Sequence, residues 1–458
     1  MKKPNVVFIL ADDMGYGDFG IFGDGSSKTP NLDRLVEEGT TLTQHYSASP
    51  VCAPSRAAFM TGRYPHRTGV IDTIEALGTD RLSLGETTIA DVFRQKGYTT
   101  GLVGKWHLGA IDPGYHPNNR GFDEFIGFRG GWSDYYLWRI EHNGHMRASD
   151  GTYLTDVWTN EAVGFIKKYK DQPFYLHVAY NAPHTPIQAP EEFIQAFRDT
   201  GKFNETLSTL YAMIHVMDKG IGSILDTLKE FGLKENTLVI FTSDNGPTLH
   251  GNKARYNCHF RGQKCFTYEG GIKVPAVMRW PCQFPTDTRI HQFVHATDWF
   301  PTLLAACGMA IPENLAIDGQ NVLDLFKGTQ KPYGRQRCWQ WNRYDPVLNS
   351  NAAIREGKWK LVRPAIMESF RLSQEDVAAN KYLMQHVDEV KEIKPPSYTR
   401  QLPPPFPPEL YNIEDDPFEM NNLAGKMPEL TERLSRDLED WFSEVEAERK
   451  ENIHCTSF

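Results

Sequence analysis

The chain is short of several things that would settle its class at once. No CxxC pair stands among its seven cysteines, which argues against a structural zinc site. No apolar stretch approaches the length that spans a bilayer. Basic residues are outnumbered, 49 Lys and Arg against 58 Asp and Glu, and the net charge of −9 disfavours a nucleic-acid partner, because phosphate binding wants clustered cations. No internal repeat is visible. The first apolar run, Val6 to Leu10, is too short for the core of a signal peptide and reads as a buried strand. The protein is therefore cytoplasmic, or it is periplasmic or secreted with a leader removed; the sequence leaves both open. Cys258 and Cys265 could pair locally in an exported protein, but free thiols are the expectation for these cysteines.

What is present is a globular composition over 458 residues, 40% hydrophobic and 23% charged. That length can bury one large core and carry a smaller second domain. Short apolar runs alternate with helical patterns. Val6–Leu10, Thr99–Val103, Phe174–Tyr180, Thr237–Thr242 and Pro275–Trp280 read as strands. Asn31–Glu38, Thr88–Lys96, Leu207–Leu228 and Ala296–Cys307 read as helices. The alternation predicts an α/β fold with a doubly wound, mostly parallel central sheet over residues 1–345. The pattern then changes. Ala352–Val362 reads as an antiparallel strand, Lys394–Pro408 as a proline-rich irregular crossing, and Met427–Val445 as an amphipathic helix. Residues 346–458 are expected to form a smaller C-terminal α+β domain with an antiparallel sheet and a helix.

Polar residues gather just after the predicted strands, where open α/β sheets bind ligands. Asp12 and Asp13 follow Val6–Leu10, and Asp244 and Asn245 follow Thr237–Thr242. Either pair alone is ordinary turn chemistry. Together they offer only oxygen donors, which suit calcium or magnesium. Cys52-Ala53-Pro54-Ser55-Arg56 places a thiol before a helix expected over Ser55–Thr61, at the end that favours anions, with the Arg56 cation close by. Lys105 and His107 follow Thr99–Val103, and His184 follows Phe174–Tyr180. Lys264 lies five residues before Glu269. An oxygen-ligated cation, two lysines, an arginine and two histidines at strand ends describe a site for a tetrahedral anion.

At this point the residues match a family. The chain resembles the formylglycine-dependent type I sulfatases of the alkaline phosphatase superfamily. Cys52-Ala53-Pro54-Ser55-Arg56 fits the C-x-P-S-R signature and is followed by Thr61-Gly62-Arg63. Gly104-Lys105-Trp106-His107-Leu108-Gly109 fits the second signature. Ala11-Asp12-Asp13, Ser243-Asp244-Asn245-Gly246, Tyr268-Glu269-Gly270-Gly271 and Leu410-Tyr411-Asn412 through Asp416, Glu419 and Asn422 match as well. Many relatives have Gly-Lys where this chain has Gly262-Gln263-Lys264, although the spacing from Lys264 to Glu269 is kept. The resemblance implies that a formylglycine-generating maturation enzyme oxidises Cys52 to the aldehyde, which hydrates to a diol. It implies that Asp12, Asp13, Asp244, Asn245 and the modified Cys52 bind Ca2+. Arg56, Lys105 and His107 would hold the diol, and Lys105, His184 and Lys264 the sulfate. One diol oxygen would attack sulfur, His184 or Lys264 would protonate the departing alcohol, and His107 would act as base when the second hydroxyl expels sulfate.

The substrate is less legible. Aromatic residues cluster at Trp132, Tyr135, Tyr136 and Trp138 and again at Trp339, Trp341 and Tyr344, with Arg129, Arg139 and Arg343 nearby. Core packing accounts for most such residues. An aromatic face beside cations also suits a sulfated saccharide, so Trp132, Tyr135, Trp138, Trp341 and Arg343 are the candidate substrate contacts. A small aryl sulfate is expected to be turned over too. Two other readings use the same residues: a phosphonate monoester or phosphodiester hydrolase of the superfamily, and a non-catalytic protein that binds sulfated glycans.

Overall fold

Asn5–Ala11 (NVVFILA) is buried at all seven positions, because it lies in the middle of the sheet and is covered on both faces. Val7 and Ile9 point into one apolar core with the helices Leu154–Tyr169 and Glu205–Glu230. Val6, Phe8 and Leu10 point into the other, with Cys52–Thr61, Ile89–Gln95 and Trp299–Ala306. Alternate residues thus feed opposite cores, as the period-two geometry of a strand requires. The computed structural model describes residues 3–249, 255–328, 336–387 and 389–454.

The sheet has ten strands. Across it the order is Thr288–Ile290, Thr40–Leu42, Ala276–Arg279, Thr237–Ser243, Asn5–Ala11, Phe174–Ala179, Thr99–Lys105, Glu124–Phe128, Arg139–His142 and His145–Ala148. The run from Thr237–Ser243 to Glu124–Phe128 is parallel throughout. Ala276–Arg279 and the hairpin Arg139–Ala148 add antiparallel partners on either side. The carboxyl ends of the parallel strands therefore open on one edge, the usual place for a ligand in such a sheet.

A second sheet of four antiparallel strands follows: Arg337–Gln340, Ala352–Glu356, Trp359–Arg363 and Glu409–Asn412. Its first strand precedes residue 346, so the expected division at 345/346 falls inside this sheet. One face, with Trp339, Ala353, Val362 and Tyr411, packs on Tyr46, Tyr268 and Ile272 of the larger part. The other, with Cys338, Ile354, Leu361 and Leu410, is covered by Leu434 and Leu438 of the helix Pro428–His454. The expected single strand Ala352–Val362 is two strands joined by a tight turn at Gly357, where φ is 56°. Among the described residues, six cysteines are free, Cys258 and Cys265 included; Cys455 lies outside them. No described helix is long and apolar enough to cross a membrane.

The seam between the two sheets carries buried charge. Lys360 Nζ lies 2.9 Å from Glu269 Oε1 and 2.9 Å from Glu419 Oε1. Tyr46 donates to Glu269 Oε2 at 2.6 Å, and the Glu269 amide donates to Glu419 Oε2 at 2.7 Å.

Candidate active site

Cys52 lies in the first turn of the helix Cys52–Thr61, which starts three residues earlier than expected, after Val51. Pro54 is tolerated there because the first amides of a helix have no intrahelical acceptor. Cys52 is 2% exposed. Its Sγ is 3.4 Å from Asp12 Oδ1, and Lys264 Nζ reaches it at 3.3 Å. Burial alone would push the thiol up, but Lys105 and Lys264 bring it down to about 6. The pocket around Cys52 thus favours an anion.

Four strand ends supply the rest. Asp12 and Asp13 leave Asn5–Ala11, and Asp13 takes a left-handed φ of 65°. Asp244 and Asn245 leave Thr237–Ser243. Lys105 ends its own strand, and His107 follows with φ 57°. Such angles are uncommon outside glycine and cluster where geometry is held for function. His184 follows Phe174–Ala179, in a loop tied to the first strand end by the Asp12 amide, which donates to Ala182 O at 3.1 Å.

Opposite charges interlock. Lys105 Nζ lies 2.6 Å from Asp12 Oδ2. Arg56 Nε donates to Asp244 Oδ2 at 2.9 Å, Arg56 Nη1 donates to Lys105 O at 3.2 Å, and the Asp13 amide donates to Asp244 Oδ1 at 3.2 Å. Lys264 Nζ lies 2.7 Å from Asp13 Oδ1, Asn245 Nδ2 donates to the same oxygen at 2.7 Å, and His184 Nε2 stands 3.9 Å from Asp13 Oδ2. Ligand atoms of Asp12, Asp13, Cys52 and His184 all fall within 4.8 Å of one another. Burial and the neighbouring Asp12 raise Asp244 to about 6 despite Arg56. Burial also raises Asp12, with Cys52 adding to it. Burial works against ionisation of Asp13 too, but Lys264 and His184 hold its carboxyl far below the usual range.

The two histidines are set apart by their surroundings. Burial and Lys105 hold His107 neutral. Burial and Lys264 oppose a proton on His184, but Asp12 and Asp13 outweigh them and raise it. The two imidazoles thus favour different protonation states, His107 neutral and His184 protonated. Lys264 is kept charged by Asp13 and Cys52 against the effect of burial.

All six expected catalytic residues and all the expected metal ligands converge on this one strand-end edge. The expected substrate contacts do not. Tyr135 is buried and its hydroxyl donates to Asn181 O and His184 O, at 2.7 and 2.9 Å. Trp138 is buried and donates to Thr152 O at 2.8 Å. Trp341 is buried and donates to Asp72 Oδ1 at 3.2 Å. With apolar bodies packed and polar tips satisfied internally, these three have no face for a sugar; they are core residues. Arg343 is partly exposed but paired with Asp72 at 2.7 Å. Trp132, 40% exposed, is the one aromatic among the five open to solvent.

Sequence reasoning missed Glu75. Its Oε1 stands 3.5 Å from His107 Nε2 and accepts from the Gly131 amide at 2.7 Å, while Asn380 Nδ2 donates to its Oε2 at 2.7 Å. Glu75 sits in a short 3-10 turn with no motif around it, so nothing local could have flagged it.

The chain matches the family model described as Sulfatase over residues 4–309, and the one described as N-sulphoglucosamine sulphohydrolase, C-terminal, over residues 259–387. It is 35% identical over 359 residues to the N-acetylgalactosamine-6-sulfatase of Canis lupus familiaris, covering 72% of this chain and 67% of that protein. It is 30% identical over 471 residues to arylsulfatase J of Mus musculus, covering 95% of this chain and 75% of the other. Among solved structures, Ps i-CgsB in complex with k-i-k-neocarrahexaose superposes with a TM-score of 0.81 at 32% identity, over 96% of this chain and 93% of that one. With the strand-end cluster, these matches place the chain in the sulfatase family of the alkaline phosphatase superfamily, as a sulfuric ester hydrolase.

Proposed function

We propose that this sulfatase removes a sulfate ester from a sulfated saccharide, with a formylglycine derived from Cys52 as nucleophile and calcium as its metal. The observation that carries the reading is the place of Cys52: buried in the first turn of a helix, with Asp12 and Lys264 both within 3.4 Å of its sulfur. The likeness to an N-acetylgalactosamine-6-sulfatase and to Ps i-CgsB in complex with k-i-k-neocarrahexaose supports the saccharide.

The residues fit a hard cation. Asp12, Asp13, Asp244 and Asn245 offer only oxygens, and Asn245 Oδ1 is buried with no hydrogen-bond partner in the protein. A buried acceptor without a partner costs about 1–3 kcal/mol, which a calcium ion would relieve. When present, formylglycine supplies an oxygen nucleophile and calcium supplies positive charge against a sulfate oxygen. Arg56 pairs with the Asp244 carboxylate and Lys105 with that of Asp12, which fixes both. Lys264 and His184, at the partly open mouth, are placed to hold the outer sulfate oxygens. His184 carries the proton for the leaving alcohol, and neutral His107 accepts one.

The test is the mass of the Cys52 peptide from a host with the maturation system, together with sulfate release from 4-nitrophenyl sulfate before and after chelation. Conversion of the thiol to the aldehyde with calcium-dependent release is the expected result. A modified Cys52 that cleaves phenyl phosphonates in preference would move the protein to the phosphonate reading. An unmodified Cys52 in a competent host would sink the mechanism.

A further inference from the structure

Both ring nitrogens of the buried His107 lack a hydrogen-bond partner in the protein. One charged group faces the ring at Nε2: Glu75 Oε1, 3.5 Å away. The backbone of Gly131 closes in on both of them. A Cβ there would lie 2.6 Å from His107 Cε1 and 2.8 Å from Glu75 Oε1, so a glycine is needed at this point. The position of the Glu75 carboxylate therefore decides what the ring meets on its Nε2 side. Glu75 opens the short 3-10 turn Glu75–Leu77, which has no side-chain cap of its own.

That turn is held from far along the chain. Asn380, on the helix Gln374–Gln385, donates from Nδ2 to Glu75 Oε2 at 2.7 Å and accepts at Oδ1 from the Ala76 amide at 2.8 Å. Only one orientation of its amide satisfies both, the NH2 toward the carboxylate and the oxygen toward the backbone donor. With the Gly131 amide donating to Oε1 at 2.7 Å, each Glu75 oxygen has a donor from a different segment, which fixes the plane of the carboxylate. The Lys394 amide donates to Ala76 O at 2.8 Å, so both backbone groups of Ala76 are taken by the same C-terminal arm. Leu383 packs the helix onto Ala76, Ala110 and Ile111, and Met384 lies where a Cβ on Gly130 would collide. Leu383 and Met384 are enough to dock the arm. A half-buried amide that clamps both the carboxylate facing His107 and the backbone beside it is not needed for docking.

We infer that Asn380 is a positioning residue for the sulfatase reaction: it fixes the Glu75 carboxylate so that Oε1 favours the His107 tautomer with its hydrogen on Nε2, leaving Nδ1 to accept the proton. The same carboxylate offsets the positive charge that the ring gains on accepting it. This role rests on the base assigned to His107 above and extends the reacting machinery to the C-terminal arm.

The experiment reads kcat and KM on 4-nitrophenyl sulfate, thermal melting, and the nitrogen NMR signals of His107 in histidine-labelled protein, assigned by their loss in His107→Gln. Asn380→Asp keeps the shape of the side chain and removes the donor to Glu75. Combining it with Glu75→Gln restores a donor and an acceptor across the gap but moves the charge away from His107. Val377→Ala, on the exposed face of the same helix, is the control. Asn380→Asp should lower kcat about tenfold with KM unchanged and move His107 from the Nε2–H tautomer toward a mixture. The exchanged pair should regain the melting temperature and keep the low kcat, and Val377→Ala should change neither. A purely structural Asn380 predicts instead that activity returns with the exchanged pair. That result, an unaltered kcat in folded Asn380→Asp, or a hydrogen on Nδ1 in the unaltered protein would overturn the inference. Should the unaltered protein release no sulfate, the nucleophile reading above falls, and the His107 tautomer in the unaltered and Asn380→Asp proteins still decides whether Asn380 positions the ring.

Discussion

Two clusters of buried charge lie in this molecule, one at the strand ends around Cys52 and one at the seam around Lys360. Both use residues from matching motifs, and both are shielded from water. They differ in the donor atoms they gather. At the seam each carboxylate faces Lys360 at 2.9 Å and has a further backbone or hydroxyl contact. At the strand ends Asn245 Oδ1 and both His107 nitrogens lack hydrogen-bond partners in the protein, and Asp13 and His107 hold left-handed backbone angles. A spare acceptor and a strained backbone occur at the seam too, where Glu419 Oε1 meets only the Lys360 charge and Glu419 has φ 56°; what the strand ends add is the convergence of ligand atoms of Asp12, Asp13, Cys52 and His184 within 4.8 Å of one another, and that convergence marks the place built to receive something. A shared motif does not by itself tell the two apart.

The comparison breaks most sharply in activity. Cys52→Ala should reduce sulfate release by roughly 10⁴-fold or more, as loss of a nucleophile does, while leaving the melting temperature close to that of the unmodified chain. Lys360→Met should do the reverse. Two carboxylates would lose their buried counter-charge, which costs about 3–5 kcal/mol, read as a fall in the denaturation midpoint, with activity per folded molecule retained. Glu75→Gln sharpens the contrast from the catalytic side. Glu75 stands 3.5 Å from His107 Nε2 with no hydrogen bond to it and acts on the ring through its charge, so kcat should fall by about tenfold with KM unchanged; an equal rise in KM would place Glu75 in substrate binding instead.

The smallest effect is a slope with pH. Burial, with Glu269 beside it, raises Glu419 to about 7. Between its ordinary value near 4.5 and about 7 the folded protein keeps a proton that the unfolded chain has lost, so this group's share of stability declines as pH rises through that window. Burial works against ionisation of Glu269, but Lys360 outweighs it and lowers its pKa, so its share is present above 4.5 and lost as pH falls below it. Glu419→Gln should flatten the decline of melting temperature between pH 4.5 and 7. An unaltered slope would show that the proton sits elsewhere.

The central sheet was legible because strands buried on both faces are continuous apolar runs, and because each polar pair stands where such a run stops. Hence Asp12, Asp244 and Lys105 could be placed before any coordinates. Turn chemistry was read less well. Asn143-Gly144, both at positive φ, is a strong hairpin signal that separates the last two strands of the sheet, and Gly357 splits what looked like one strand. Side-chain direction was not legible at all. Trp138 and Trp341 sit in polar neighbourhoods along the chain, yet their indoles turn inward to backbone and carboxylate acceptors. Glu75 meets His107 only through tertiary folding, and no spacing rule reaches across such a gap.

On the proposed mechanism, the burial of Cys52 also sets an order of events in the protein's biogenesis. The thiol sits under the loops that follow separate strands, and the accessible surface of Cys52 has shrunk to 2%. On the proposed mechanism, a maturation enzyme must grip the chain around Cys52, and the native fold gives it no purchase. Oxidation then belongs to the interval between synthesis and closure of the sheet. A molecule that folds first is trapped as a well-formed but inert product, so the yield of active enzyme is decided by a race between two rates and not by the stability of either form.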